Sequence, residues 1–142
     1  MLDPNENAYF AARTDWYVTW TYDYSSSADG CTIASPAVSL RLRFVVPAWR
    51  APKEPRDDVV KEWNRFFAAL WRHERGHVGF AIRAAREIDR SLADLRAASD
   101  CDELEARADA WGERTVRRFR SKERAYDEAT AHGQTEGALL LP

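Results

Sequence analysis

Two stretches near the start of the chain alternate apolar and polar residues with a period of two. Their apolar positions are Trp16, Val18, Trp20, Tyr22 and Tyr24 in the first stretch, and Val38, Leu40, Leu42, Phe44 and Val46 in the second. This alternation is typical of strands that bury one face. The two stretches therefore predict an antiparallel hairpin with one polar face. The residues between them, 25–36, are rich in Ser, Gly and Pro and predict a long turn that contains Cys31.

The period then changes to that of a helix. Prolines between residues 47 and 55 end the sheet, and Asp57 and Asp58 can cap a helix that we expect to run to about Ala97. The apolar stripe of this helix consists of Trp63, Phe66, Leu70, Ala81, Ala84, Ile88, Leu92 and Leu95. Its spacing is that of an amphipathic helix that faces a core.

A second helix follows a break at Ser99 and Asp100. Asp100 and Glu103 form a capping-box pattern at its start. Its predicted buried face consists of Leu104, Ala108, Trp111, Thr115 and Phe119. The fold class is therefore α+β, with a hairpin or small antiparallel sheet followed by a long antiparallel helix pair. We expect a flexible lead-in over residues 1–14 and a single domain over residues 15–142.

The first helix carries the motif His73-Glu74-Arg75-Gly76-His77 inside its apolar stripe. Two imidazoles at i and i+4 share one face of a helix and can bind one metal ion, while the adjacent carboxylate can act as a general base. A catalytic zinc needs such ligands and such a base. Because the motif faces the core, its polar groups would be costly without a partner. Gly76 inside a helix suggests that something approaches the backbone closely.

The third histidine of the chain, His132, is the favoured third ligand. If the helices pack in antiparallel fashion, residues just after Ala125 return beside the motif, because both helices rise about 1.5 Å per residue. Asp127 is the rival ligand, and is equally suited to fix an imidazole from behind. Tyr126 either donates a hydrogen bond to a developing oxyanion or only packs, and packing is the safer interpretation. The alternative for His132 is a surface position in a C-terminal tail.

Composition restricts the classes of function. The chain has 142 residues and a net charge of -2, which argues against an electrostatic nucleic-acid binder. The basic residues of the second helix are better interpreted as a solvated face than as a binding patch. No apolar run reaches the roughly 18 residues of a membrane span, and the first seven residues do not have the pattern of a secretory signal. The sequence leaves the oligomeric state open.

The chain has two cysteines, Cys31 and Cys101. A disulfide between them would close a loop of about 70 residues and stabilise the fold by roughly 4 kcal/mol in the chain-entropy model. The alternative is two reduced, unrelated thiols. Counting alone does not decide between them.

The chain resembles a bacterial family of predicted secreted zinc-dependent proteases, catalogued as a domain of unknown function. The resemblance covers residues 16–140. Its motifs are Trp16-Tyr17-Val18-Thr19-Trp20, Cys31, Pro47-Ala48-Trp49, the stretch from Trp63 through His77, Cys101, and Tyr126-Asp127-Glu128-Ala129-Thr130-Ala131-His132-Gly133.

The resemblance implies an exported protein with a disulfide between Cys31 and Cys101. It also implies a zinc site formed by His73, His77 and His132, with Glu74 as the base. The family has a glutamine before Gly-Ala where this chain has Glu136 before Gly137 and Ala138. That departure affects any role of the glutamine and leaves the metal ligands unchanged.

The sequence thus predicts a minimal zincin-like metallopeptidase that binds Zn²⁺ and hydrolyses a peptide or protein substrate. The edge of the hairpin could bind an extended peptide as an added strand. One alternative is a zinc-bearing extracytoplasmic binding or structural protein with a closed four-ligand site, in which Asp127 or Glu74 takes the fourth position. Another is a zinc amidase that acts on cell-wall amides.

Overall fold

A computed structural model describes residues 11–141 of the protein. The elements are strands β1 (Arg13–Ser27) and β2 (Gly30–Val45), helices α1 (Asp57–Ala93) and α2 (Cys101–Thr130), and a short 3-10 helix (Gln134–Glu136). The two strands form an antiparallel sheet, and the two long helices follow it in the chain. This confirms the predicted α+β class.

The predicted long turn over residues 25–36 is wrong. Only Ala28 and Asp29 separate the strands, and Cys31 lies inside β2. Gly30 has a φ of 114°, which a glycine adopts without steric cost and which permits a tight connection. Ser and Pro residues are tolerated here because each strand of a two-stranded sheet has an unpaired edge.

Helix α1 begins at Asp57 as predicted but ends at Ala93, about four residues early. Beyond the helix, Ala98 exchanges two backbone hydrogen bonds with Cys31, each with an N to O distance of 2.9 Å. The chain has to leave the helix to make this bridge. A Cβ on Gly30 would overlap the carbonyl of Ala98, so the glycine also permits the close approach.

The predicted capping of α2 is confirmed. The backbone N–H of Glu103 donates to Asp100 Oδ1 at 2.8 Å, and the N–H of Ser99 donates to the Glu103 carboxylate at 3.1 Å. Side-chain carboxylates thus accept hydrogen bonds from backbone N–H groups that have no partner within the helix.

The predicted buried face of α2 is correct except at Trp111, which is 45% exposed. Its neighbour Gly112 is buried instead, because the indole of Trp20 packs where a Cβ on Gly112 would lie. The Trp20 Nε1–H also donates to Asp109 at 3.0 Å. A small residue is needed at this position, so the large aromatic beside it turns outward.

The chain forms two compact units. Among residues 11–141, one unit contains residues 11–15, Leu42–Val78 and residues 123–141, and the other contains Trp16–Arg41 and Gly79–Lys122. The single domain over residues 15–142 stays a prediction. Residues 1–10 of the predicted lead-in lie outside the described residues, whereas Arg13 and Thr14 belong to β1.

Each unit has its own hydrophobic core. In the first, Phe66, Ala69 and Leu70 of α1 pack with Ala138. In the second, one cluster contains Cys31, Ala98 and Leu104, and another contains Ile88, Leu92 and Ala108. The apolar stripe predicted for α1 contributes side chains to the cores of both units.

Cys31 and Cys101 form a disulfide, with their Cα atoms 5.2 Å apart. It joins β2 to the first residue of α2 inside the second unit, which confirms the pairing that the resemblance implied. Within residues 11–141, neither helix combines the length and apolar character that a membrane crossing requires.

Candidate metal centre

The candidate site lies within the first unit, where α1 and α2 meet in antiparallel register. His73 contacts Asp127, and His77, one turn later in α1, contacts Glu123, one turn earlier in α2. This is the register expected when the chain reverses near Ser99. The residues after Ala125 therefore return beside the motif, as predicted.

Three donor atoms gather at the centre of the site. His73 Nε2 and His77 Nε2 are 3.2 Å apart, and Asp127 Oδ1 lies 3.1 Å from the first and 3.0 Å from the second. Donor atoms around a tetrahedral zinc, with bonds of about 2.0–2.1 Å, are separated by about 3.3–3.4 Å. The observed triangle is slightly tighter than that, and its nitrogen and oxygen donors are those that zinc accepts. The donor set therefore fits a zinc ion.

Each imidazole also contacts a second carboxylate through its other ring nitrogen, Nδ1. His73 Nδ1 lies 2.9 Å from Glu136 Oε2, and His77 Nδ1 lies 2.9 Å from Glu123 Oε1. A carboxylate accepts, so each Nδ1 carries a hydrogen toward its carboxylate, and each Nε2 faces the centre. Metal-ligating histidines are usually oriented in this way.

The sequence interpretation missed Glu123 as a partner of the site and gave Glu136 no role. Glu123 could have been found, since it precedes Asp127 by one helical turn and so shares its face. Glu136 follows a reversal of the chain after α2 and carries no such periodic signal.

The charges in the site shift the ionisation of its members. Burial alone would lower the pKa of His77, but its hydrogen bonds with Asp127 and Glu123 raise that pKa to about 10. The pKa of His73 is also raised, because hydrogen bonds with Asp127 and Glu136 outweigh burial. Burial would raise the pKa of Asp127, but the two imidazoles lower it well below its usual range. The site is thus strongly anionic in character and favours a cation, either a proton or a metal.

Glu74 is buried, with 3% of its surface exposed, and lines the same cavity as the three donors. Its Oε2 accepts a hydrogen bond from the Thr14 hydroxyl at 2.5 Å. It is outside the group of three residues whose donor atoms lie within 4.8 Å of one another. The sequence interpretation missed Thr14, which it placed in the lead-in.

The position of Tyr126 explains why residue 76 of the motif is a glycine. A Cβ on Gly76 would lie 2.6 Å from the Tyr126 hydroxyl oxygen, so only glycine lets the tyrosine lie against α1. The tyrosine ring stacks on His73, with centroids 4.9 Å apart and an interplanar angle of 18°. Its hydroxyl donates to Glu136 Oε2 at 3.0 Å. The predicted close approach at Gly76 is confirmed, and the packing role of Tyr126 has a clear geometry.

The hydroxyl of Tyr126 stays protonated over the ordinary pH range. Burial and the adjacent Glu136 carboxylate both raise its pKa above the usual value. It therefore remains a hydrogen-bond donor, and Glu136 is the acceptor that it faces. Its action on an oxyanion stays a prediction.

His132 lies beside the three donors and is not one of them. Its Nδ1 is 3.9 Å from Asp127 Oδ1, and it lines the same cavity. His132 and Gly133 have φ angles of 54° and 83°, so the chain turns sharply after α2. A Cβ on Gly133 would lie 2.8 Å from the His73 ring, so the glycine lets this turn pack on His73.

The cavity at the site has a volume of about 200 Å³. It is lined by Leu70 and by polar side chains of the helices, including Arg124. It is also lined by the start of β1 and the residues before it, Ala11, Ala12, Arg13, Thr14 and Asp15. The arrangement can hold a metal, a general base and a small part of a substrate together.

The comparisons with known proteins give a family and no relative of known function. The family described as "Bacterial protein of unknown function (DUF922)" matches residues 2–133. Neither the curated proteins nor the solved structures contain a match to the chain.

Proposed function

The chain belongs to DUF922, a family of bacterial proteins of unknown function, and we propose that it is a zinc-dependent metallopeptidase. The observation that carries the proposal is the triangle of His73, His77 and Asp127 donor atoms with the buried Glu74 in the same cavity. A catalytic zinc site combines three protein donors with a nearby carboxylate that does not bind the metal.

His73 and His77 would hold the zinc through Nε2, and Asp127 would hold it through Oδ1. The positions of these atoms support Asp127 as the third ligand over His132, which the sequence favoured. Zinc in such a site lowers the pKa of a bound water to about 7 and polarises a carbonyl. With zinc bound, Glu123 and Glu136 would accept from the two Nδ1–H groups and keep each Nε2 oriented toward the metal.

Glu74 would act as the general base. Its Oε2 already accepts from Thr14, so Oε1 would take a proton from the attacking water as the water oxygen bonds to the scissile carbonyl carbon. The same oxygen would then give the proton to the leaving amine as the carbon–nitrogen bond breaks. His132 would contact the substrate or the developing oxyanion from its place on the cavity wall.

The substrate would be a peptide in extended conformation. The start of β1 forms one wall of the cavity, and an extended peptide can bind along an unpaired strand edge. We also propose that the protein is exported, as the resemblance implies. The Cys31–Cys101 disulfide is compatible with an oxidising compartment.

The test is the metal content and coordination of purified protein, by elemental analysis and X-ray absorption at the zinc edge. Wild type is expected to hold one zinc with an exchangeable water. Glu74→Gln should keep the zinc and lose turnover, because the amide cannot accept the proton. Asp127→Ala should lose most of the zinc, whereas His132→Ala should keep it. Full zinc in Asp127→Ala and depletion in His132→Ala would restore His132 as the ligand.

Two alternatives are distinguished, one by the same coordination measurements and the other by a substrate screen. A closed site with four protein donors and no water would favour a binding or structural protein over an enzyme. The position of Glu74 outside the group of three donors supports the open site. Cleavage of murein fragments without cleavage of peptides would identify a cell-wall amidase.

A further inference from the structure

The side chain of Thr14 lines the cavity of the candidate site, although the sequence placed this residue in a flexible lead-in. It belongs to β1, is 60 residues from Glu74 in the sequence, and is buried, with 7% of its surface exposed. The carboxylate it contacts is 3% exposed. A hydrogen bond between two such buried groups is well shielded from water and holds its geometry.

The Thr14 hydroxyl has one hydrogen to donate and two acceptors within reach. Glu74 Oε2 is 2.5 Å away, and the backbone carbonyl oxygen of Glu74 is 3.5 Å away. Hydrogen bonds from a hydroxyl to a carboxylate are short and charge-assisted, whereas a contact at 3.5 Å is marginal. The hydrogen therefore goes to the carboxylate.

We propose that Thr14 is a positioning residue that holds the Glu74 carboxylate for proton transfer. This inference rests on the proposed peptidase function. By donating to Oε2, Thr14 fixes the rotation of the carboxyl group and leaves Oε1 as the oxygen that takes and returns the proton. The start of β1 is thus part of the catalytic machinery as well as a wall of the cavity.

A hydrogen bond to a charged group is strong enough for this role to be measurable. Loss of one such bond is expected to lower a rate by about 10- to 100-fold. The effect should appear in kcat, because Thr14 acts on the base and the base acts in the transition state. The KM should change by less than about 3-fold.

The test compares Thr14→Val with Thr14→Ser in zinc-loaded protein. Valine keeps the shape of threonine and removes the hydroxyl, whereas serine keeps the hydroxyl and removes the methyl group. The substrate is the quenched fluorescent peptide that wild type cleaves fastest in a peptide library. Zinc content is measured on every sample, so that loss of metal is not mistaken for loss of positioning.

The expected result is a lower kcat in Thr14→Val with unchanged zinc content, and recovery in Thr14→Ser. A purely structural threonine would not give a loss that is confined to kcat and that the hydroxyl group alone restores. Equal kcat in Thr14→Val and wild type would overturn the proposal.

Crystal structures of the zinc-loaded variants provide a measurement that does not depend on activity. The Glu74 carboxyl group should rotate away from its wild-type position in Thr14→Val and keep it in Thr14→Ser. If wild type cleaves no peptide, the peptidase proposal fails, while this comparison still decides whether Thr14 positions Glu74. An unmoved carboxyl group in Thr14→Val would reject the positioning role.

Discussion

At the scale of single residues, the candidate site depends on partners behind the proposed ligands. His77 Nδ1 is held by Glu123, and both side chains are buried, with 6% and 8% of their surfaces exposed. A buried N–H that loses its acceptor is costly, and an imidazole without its carboxylate loses orientation and basicity. The partners should therefore control metal affinity without touching the metal.

Glu123→Ala is expected to weaken zinc binding by about 10- to 100-fold, the usual range for loss of a carboxylate behind a ligating histidine. The measurement is a competition titration against a chelator of known affinity. Glu128→Ala is the matched control, because Glu128 lies on the same helix and is exposed. Equal affinity in Glu123→Ala and wild type would show that His77 needs no such support.

The two glycines of α1 give a matched pair of substitutions. Gly76→Ala places a Cβ against Tyr126, which has to shift and lose its stack on His73, at a cost of about 1–3 kcal/mol in unfolding free energy. Gly79→Ala meets no atom within 4 Å and should stabilise the helix by about 1 kcal/mol.

Urea unfolding of both variants measures the difference. Opposite signs are expected, and Gly76→Ala should also bind zinc more weakly because the stacked ring orients His73. If both alanines stabilise the protein to the same extent, Tyr126 does not need the space at Gly76.

The residues of the site differ in how far the sequence could predict them. His73, Glu74 and His77 follow from local spacing on one helix, and Asp127 follows from the register of two helices. Thr14 and Glu136 come from segments with no periodic relation to the motif, so only the folded chain brings them to it. The third-ligand prediction favoured His132 because it is the third histidine of the chain and lies in the segment that returns beside the motif, whereas geometry places Asp127 among the three donors.

At the scale of elements, the sequence predicted the structure best where side chains form hydrogen bonds with backbone groups nearby in the chain. The cap of α2 is such a case, since Asp100 and Glu103 lie within one turn. The hairpin turn was mispredicted because the Ser, Gly and Pro content of residues 25–36 suggested a loop. Pairing between two edge strands and the contact of Cys31 with Ala98 kept these residues extended.

Asp100→Ala should remove the cap of α2 and lower the unfolding free energy by about 0.5–2 kcal/mol. Asp102→Ala is the control, because Asp102 carries the same charge in the first turn. Interaction of that charge with the helix dipole alone contributes about 0.3–1 kcal/mol to the unfolding free energy. Thermal unfolding followed by circular dichroism compares the two, and a larger loss in Asp102→Ala would contradict the capping role of Asp100.

At the scale of the whole molecule, the proposed zinc and protons would compete for the same donor atoms. Zinc requires neutral imidazoles, whereas the carboxylates around His77 raise its pKa to about 10 when no metal is bound. Binding of zinc near neutral pH should therefore release a proton. A ligand that binds only the folded state also stabilises it, by about 2.7 kcal/mol at a concentration of 100 times Kd.

These two effects should give the unfolding free energy of the protein opposite pH trends with and without zinc. In chelator-treated protein, the pKa of His77 is higher in the folded state than its value of about 6.5 in the unfolded chain. Its contribution is therefore fully present below about pH 6.5 and is lost as the pH rises toward about 10. The lowered pKa of Asp127 makes its contribution disappear in acid. With zinc, the increment in unfolding free energy should grow as the pH rises, because fewer protons have to be displaced.

Urea unfolding at pH 6, 7.5 and 9, with and without chelator, measures both trends. His77→Gln is the control for the chelator-treated series, because glutamine cannot take up the proton, and the difference between it and wild type isolates the histidine. That difference should shrink as the pH rises from about 6.5 to 9. A difference that grows over this interval would mean that His77 is neutral in the folded, metal-free protein, and the anionic character assigned to the site would be wrong.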